Sequence, residues 1–212
     1  MTKEERWSMW KRNVVDKFKD IPTESIKQIL KQTAHPGAVC MEQWHGDFNI
    51  ATLIRNANAF NIEKVFYLGK RRFDPRGAVG ANHYVDIEYL KQGHEDLIKL
   101  KDQYTFVAVD NNVSNVIDLH NFDWLALKNP PLMIFGEEGA GLTPEALSVA
   151  DHVVQIPQFG SVRSLNVGTA SGVLLYAYVN SLRNSTTLNR KQKQLHGGNE
   201  HEQSESYQLT LL

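Results

Sequence analysis

The chain has 212 residues, a formal net charge of −1 and 42% hydrophobic residues, enough for one sizeable core with appendages. These values exclude a globally basic polyanion binder, and the longest apolar run, residues 173–179, is far too short to cross a bilayer. A single cysteine, Cys40, cannot form an internal disulfide, and the charged first ten residues lack an apolar signal core, so a reducing cytoplasm is the expected setting.

Residues 1–33 read as helical. Trp7, Trp10, Val14 and Phe18 recur at helical spacing as one apolar stripe, and Thr23 or Ser25 can cap a second short helix after Pro22. This segment carries eight Lys or Arg against five acids, a local +3. His35-Pro36-Gly37 reads as a break. The core then alternates. Residues 38–44 are expected as a strand and 49–60 as a helix whose buried face is Ile50, Leu53, Ile54 and Ala57. Residues 64–68 form a second strand, followed by a basic cluster of Lys70, Arg71, Arg72 and Arg76 interrupted by Asp74. Local clusters of this kind suffice for phosphate contacts, and they equally describe a solvated face. A short strand is expected at 84–87, a helix at 94–101, and buried parallel strands at 105–110 and 132–135. Thr143 and Pro144 open a short helix ending at Val149; a strand follows at 152–156 and a long apolar helix at 166–182. The alternation argues for an α/β fold, a mostly parallel sheet with helices on both faces. From Arg183 polar residues dominate, which reads as a flexible tail. The expected organisation is therefore a helical extension at 1–37, a core domain at 38–183 and a tail at 184–212.

Three segments carry the chemistry. The first, 49–61, is an amphipathic helix in which Arg55 lies near Asn58 and away from the apolar stripe, with Asn49 at its start in a capping position. The second, 132–142, is strand, tight glycine loop and helix: Phe135, Gly136, Glu137, Glu138, Gly139, Ala140 and Gly141. Its glycine order is not that of a dinucleotide fingerprint, and two adjacent glutamates would repel a pyrophosphate. Such a loop better suits a neutral or cationic ligand, and the sulfonium S-adenosylmethionine qualifies; a purely structural left-handed turn is the alternative. The third, 156–167, runs Ile156, Pro157, Gln158, Phe159, Gly160, Ser161, Val162, Arg163, Ser164, Leu165, Asn166 and Val167. Ser164 and Asn166 are both good capping types. The helix that follows opens with small residues and two glycines, each costing about 1 kcal/mol in a helix interior, so close backbone packing against another helix or chain is expected in compensation.

In this order, at the ends of strands, the three segments resemble the three motifs of the SpoU-type RNA 2'-O-ribose methyltransferases of the SPOUT superfamily, over about residues 38–182. The run Ile156-Pro157 through Gly160 to Ser164-Leu165-Asn166-Val167 is the most specific of them. The resemblance implies a C-terminal trefoil knot, S-adenosylmethionine as cofactor, and a homodimer with the active site at the subunit interface. By position it makes Arg55 the catalytic arginine, Asn49 its asparagine, Glu138 the glutamate of the second motif, and Ser164 and Asn166 the polar pair of the third. Phe135, Gly136, Glu138, Gly139, Ile156, Pro157, Ser164 and Leu165 would hold the cofactor. Asn61 stands where the first motif ordinarily ends in glycine; asparagine tolerates the left-handed region, so the turn is expected to survive. Glu137 replaces a usually small residue.

The implied reaction is in-line attack of a ribose 2'-oxygen on the sulfonium methyl, in tRNA rather than rRNA on the strength of the short extensions at both ends. Arg55 is either the base or, since guanidinium normally stays protonated, the group that steadies a phosphate and the developing alkoxide. His45, His83 and His94 lack metal-ligand spacing, so no metal is expected. The alternatives are a non-catalytic RNA-binding protein that keeps the knotted fold, and a small-molecule α/β oxidoreductase or nucleotide-binding enzyme.

Overall fold

The computed structural model describes residues 13–44 and 48–196, with the backbone alone for the last ten. Seven strands form one sheet: β1 His35–Gln43, β2 Ile62–Gly69, β3 Ile87–Tyr89, β4 Thr105–Val109, β5 Ile117–Asp118, β6 Pro131–Phe135 and β7 His152–Gln155. The order is β3-β2-β1-β6-β4-β7-β5, and every pairing is parallel. The helices are α1 Thr23–Gln32, α2 Asn49–Ala59, α3 His94–Ile98, α4 Pro144–Val149 and α5 Val167–His196.

Both faces of the sheet are covered, and the strands show it residue by residue. Val39 and Met41 of β1, Met133 and Phe135 of β6, and Val107 of β4 join one apolar cluster, with Ile50, Leu53 and Ile54 of α2 and Leu174, Leu175 and Tyr178 of α5. Their neighbours Ala38, Cys40, Leu132, Ile134, Phe106 and Ala108 face the other cluster, with Leu97 of α3 and Ala146 of α4. Alternation with a period of two thus produces two cores, although every residue reads as apolar. Burial, with the Glu42 carboxylate nearby, pushes the Cys40 thiol far up, so it is an inert core residue.

Several expectations shift. Trp7, Trp10 and the rest of 1–12 lie outside the described residues. Val14 is not helical, and Phe18 ends a single 3-10 turn, Asp16–Phe18; Pro22 then separates this turn from α1. Pro22 takes the N-cap position of α1 and makes no side-chain cap bond, so Thr23 and Ser25 lie within the helix rather than ahead of it. His35-Pro36-Gly37 is not a break but the irregular start of β1, where the register slips and Gly37 takes φ +110°. The third strand lies at Ile87–Tyr89 rather than 84–87. Two-residue β5 has no sequence signal of its own. Helix α5 runs on past Leu182 to His196. Asn61 does adopt the left-handed conformation, φ 46°, and its amide donates to the Leu30 carbonyl at 3.1 Å, tying α1 to the turn.

The glycine-rich start of α5 packs against α2 of the same chain. A Cβ on Gly168 would lie 2.6 Å from Thr52 Cγ2. The Asn56 amide of α2 donates to the Gly168 carbonyl at 2.7 Å and to Ser171 Oγ at 2.9 Å. Further along α5, the hydroxyl of buried Tyr178 donates to the Pro36 carbonyl, locking the helix to the start of β1.

Burial, reinforced by the Glu63 carboxylate, pushes the Tyr178 hydroxyl from its ordinary 10.0 up to about 12. The folded value lies above the unfolded one, so this contribution to stability is complete below pH 10 and lost as pH rises from about 10 to 12. Tyr178→Phe should lower stability near neutrality by about 1 kcal/mol and reduce the alkaline loss that the native chain shows. Urea denaturation from neutral to strongly alkaline pH measures both effects.

Candidate active site

Because all strands run the same way, their C-terminal ends share one edge of the sheet, where open α/β proteins bind ligands. The segments after β4, β6 and β7 meet there around a cavity lined by Val109, Asp110, Phe135, Gly136, Ile156 and Leu165, among others.

The loop after β6 is a small closed turn. The Glu137 and Gly141 backbones pair in both directions, at 3.1 and 2.9 Å. A Cβ on Gly136 would lie 2.1 Å from the Gly141 carbonyl carbon, so Gly136 is required for backbone clearance, while Gly139 and Gly141 sit at φ +89° and +75°. The turn hands over to α4 through Thr143, whose hydroxyl accepts from the Ala146 N–H at 3.2 Å as an N-cap. Behind it, the fully buried Glu42 carboxylate accepts from the Thr143 N–H at 2.8 Å and its hydroxyl at 2.7 Å. His94 Nε2 stands 2.6 Å from the same carboxylate.

At the mouth of the cavity the three motifs meet through side chains. Glu138 Oε2 accepts from the Asn49 amide at 2.8 Å and from the Asn166 amide at 2.8 Å. The Asn166 amide also donates to Asn49 Oδ1 at 2.8 Å, and Asn166 Oδ1 accepts from the Thr169 N–H at 3.2 Å, closing the N-terminus of α5. Asn166 is therefore both a cap and a motif residue. Asn49, read from sequence as a cap for α2, instead reaches across to Glu138 and Asn166. Of the paired glutamates, Glu138 takes the inter-motif position and Glu137 is buried within the turn.

Other predicted residues lie apart from this triangle. Ser164 is exposed on the cavity wall with Leu165, Ile156, Gly139 and Phe135. Pro157 follows Ile156 but does not line the cavity. Arg55 is exposed on α2, six residues beyond Asn49 and so about 9 Å further along the helix axis. Asp110 and Asn111 did not stand out in the sequence. Asp110 Oδ1 accepts from the Asn112 N–H at 2.7 Å and Oδ2 from the Leu142 N–H at 3.4 Å, while the Asn111 amide donates to the Arg163 carbonyl at 2.9 Å. These two residues tie the loop after β4 to both motif loops. Their position, just past a buried parallel strand, was the available signal.

Gln158 also lines the cavity, and its buried Oε1 has no hydrogen-bond partner among the described residues. An orphaned acceptor, exposed carboxylate edges and apolar walls together suit a ligand with cationic or donor groups and an apolar ring.

Comparison with known proteins gives the family of the chain. Residues 37–176 match the SpoU rRNA Methylase family. The chain is 30% identical over 154 residues to a tRNA (guanosine(18)-2'-O)-methyltransferase of Escherichia coli K12, covering 71% of this chain and 66% of that protein. A protein of the same name from Borreliella burgdorferi is 26% identical over 178 residues, 82% of this chain and 80% of its own. Among solved structures, the A. aeolicus TrmH/SpoU tRNA modifying enzyme superposes with a TM-score of 0.66 at 20% identity, over 77% of this chain and 84% of that one. The SpoU methyltransferase AviRb from Streptomyces viridochromogenes, in complex with AdoMet, gives 0.58 at 25% identity, over 68% and 56%. On the extent of the family match, with three motifs joined at one cavity, the chain belongs to the SpoU rRNA Methylase family.

Proposed function

We propose that this chain transfers a methyl group from S-adenosylmethionine to a ribose 2'-hydroxyl of RNA, with tRNA favoured over rRNA. The observation that carries the reading is the junction of Asn49, Glu138 and Asn166 at the rim of the cavity. The substrate class draws further support from relatives named tRNA 2'-O-methyltransferases, and the cofactor from a neighbour bound to AdoMet.

Phe135, Gly136, Gly139, Ile156, Ser164 and Leu165 would hold the cofactor on the cavity wall, with Glu138 at the rim and Pro157 shaping the backbone after β7. S-adenosylmethionine supplies, when bound, a methyl group already activated on sulfonium. The remaining work is positioning, which is worth several kcal/mol. Asn49, Glu138 and Asn166 fix the relative placement of the three loops. Arg55 presents a permanently charged guanidinium on the outer face of α2. Its role is to bind a phosphate and steady the alkoxide that develops on the ribose, with the proton leaving through water.

The catalytic unit in this proposal is 38–183, with 1–37 as a helical extension and 184–212 as a tail poor in core residues. Its C-terminal segment threads a trefoil knot, a reading supported by the family match, with α5 packed on α2 through Asn56 and the loops after β4 and β7 joined by the Asn111–Arg163 hydrogen bond. The working form is a homodimer, supported by the exposed apolar side chains Phe159 and Val162 in the third-motif loop and Val173 and Tyr176 on α5. The cytoplasm is the proposed setting, in keeping with a lone buried thiol. No helix among the described residues is long and apolar enough to cross a membrane, and no group of three or more His, Cys, Asp or Glu among them could hold a metal ion.

S-adenosylhomocysteine at 100 times its Kd should stabilise the chain by about 2.7 kcal/mol, while NAD should leave it unchanged. Gly136→Ala should abolish that thermal shift, because the added Cβ forces the turn open. Arg55→Ala should abolish single-turnover methylation of bulk tRNA while keeping the S-adenosylhomocysteine shift; substantial residual turnover would remove Arg55 from the chemistry. Transfer of radiolabel from the cofactor to a ribose 2'-oxygen separates the enzyme from a non-catalytic RNA-binding protein, and its absence in the native chain would sink the proposal.

A further inference from the structure

The segment leaving β2 is basic, and its backbone is held with unusual completeness. Four consecutive carbonyls accept side-chain hydrogen bonds. Gly69 accepts from the Tyr89 hydroxyl at 2.9 Å and Arg71 from the Tyr67 hydroxyl at 2.9 Å. Lys70 and Arg72 both accept from the amide of Gln43, at 3.5 and 3.3 Å. The Lys70 N–H in turn donates to the Gln43 carbonyl at 2.5 Å. The start of the segment passes so close to β1 that a Cβ on Gly69 would lie 2.3 Å from that carbonyl. Gln43 is fully buried and Tyr67 nearly so, and the Tyr67 ring is packed between Phe73 and Tyr89 at 5.7 and 5.1 Å. The anchors therefore belong to the core rather than to the loop.

The side chains on this fixed backbone point to solvent. Lys70, Arg71 and Arg72 are all exposed, and none forms an ion pair among the described residues. The nearby carboxylate of Asp74 is taken by Arg76, at 2.5 Å, so it neutralises none of the three. The Arg76 guanidinium lies over the Phe48 ring, 5.5 Å from its centroid, and Phe48 directly precedes Asn49. Gly77 backs onto α2, where a Cβ would sit 2.9 Å from Ala51 Cβ. The basic segment is thereby fixed against the start of the helix that carries Asn49 and Arg55.

Three adjacent cations with no ion pair among the described residues repel one another, yet the hydrogen bonds to their carbonyls hold them side by side. Beyond the stability those bonds contribute, a binding surface gains because ordering is complete before the ligand arrives. Three residues reach at most about 10 Å, which matches a run of phosphates rather than one anion. Resting on the RNA-methyltransferase reading, we propose that Lys70, Arg71 and Arg72 form a preorganised platform for the phosphodiester backbone of the RNA substrate, with Gln43 as its positioning residue.

The test measures binding of bulk tRNA to the full chain against salt, together with KM for RNA and the affinity for S-adenosylhomocysteine. The double variant Arg71→Gln/Arg72→Gln should flatten the slope of log K against log salt by about 1.4 to 1.8, at roughly 0.7 to 0.9 for each phosphate no longer neutralised. KM for RNA should rise tenfold or more, while S-adenosylhomocysteine affinity stays at its native value. Gln43→Leu changes no charge, and should raise KM for RNA with S-adenosylhomocysteine affinity retained. A native salt slope and KM in the double variant, from a chain that methylates RNA, overturns the platform alone. A flattened slope in a chain that binds tRNA without methylating it upholds the platform and fails the enzymatic reading instead. Failure of the native chain to bind tRNA overturns both.

Discussion

A single carboxylate oxygen gathers the site. Glu138 Oε2 accepts from amides contributed by residues 89 positions before it and 28 after it. Two neutral donors converging on one charged acceptor make charge-assisted bonds, stronger than neutral pairs and more demanding in direction. The three segments can meet only if the turn after β6, the start of α2 and the start of α5 are each held in place. Much of the surrounding architecture supplies that constraint.

The supports are local and distinct. The turn carrying Glu138 depends on Gly136 for clearance and on Thr143 for its exit into α4, with buried Glu42 beneath. The start of α5 is capped by Asn166 itself and pressed against α2 through buried Gly168, where Asn56 donates to its carbonyl. Lost helix propensity at Gly168 is offset by this close approach. The same α2 shoulder receives the basic segment through Gly77, so one helix touches the inter-motif junction on one side and the cationic loop on the other. Cavity, junction and basic segment thus lie along one edge of the sheet.

Much of this was legible from pattern. The apolar stripe of Ile50, Leu53, Ile54 and Ala57 predicted α2 and its buried face, and Thr143-Pro144 predicted the start of α4. Asn61 was expected to tolerate a left-handed turn and does so at φ 46°. These features follow from local stereochemistry and periodicity. Misreadings arose where tertiary contacts override local preference. His35-Pro36-Gly37 looks like a break, but Gly37 lets β1 begin through an irregular register beside Pro131. Asn49 looks like a cap, yet its side chain joins Glu138, 89 residues away.

The sequence by itself determined the alternation of strands and helices, the three motifs and the family they resemble. Periodicity and residue types suffice for the alternation and the motif segments, because each is encoded within a short window; the family rests on the resemblance of the three motifs taken together. Which glutamate of the pair faces the asparagines, that Asp110 and Asn111 bridge two loops, and that four carbonyls fix the basic segment were decided only by tertiary structure. Each depends on strand order and on contacts between residues far apart in the chain, and no local energy term records where a distant partner will lie.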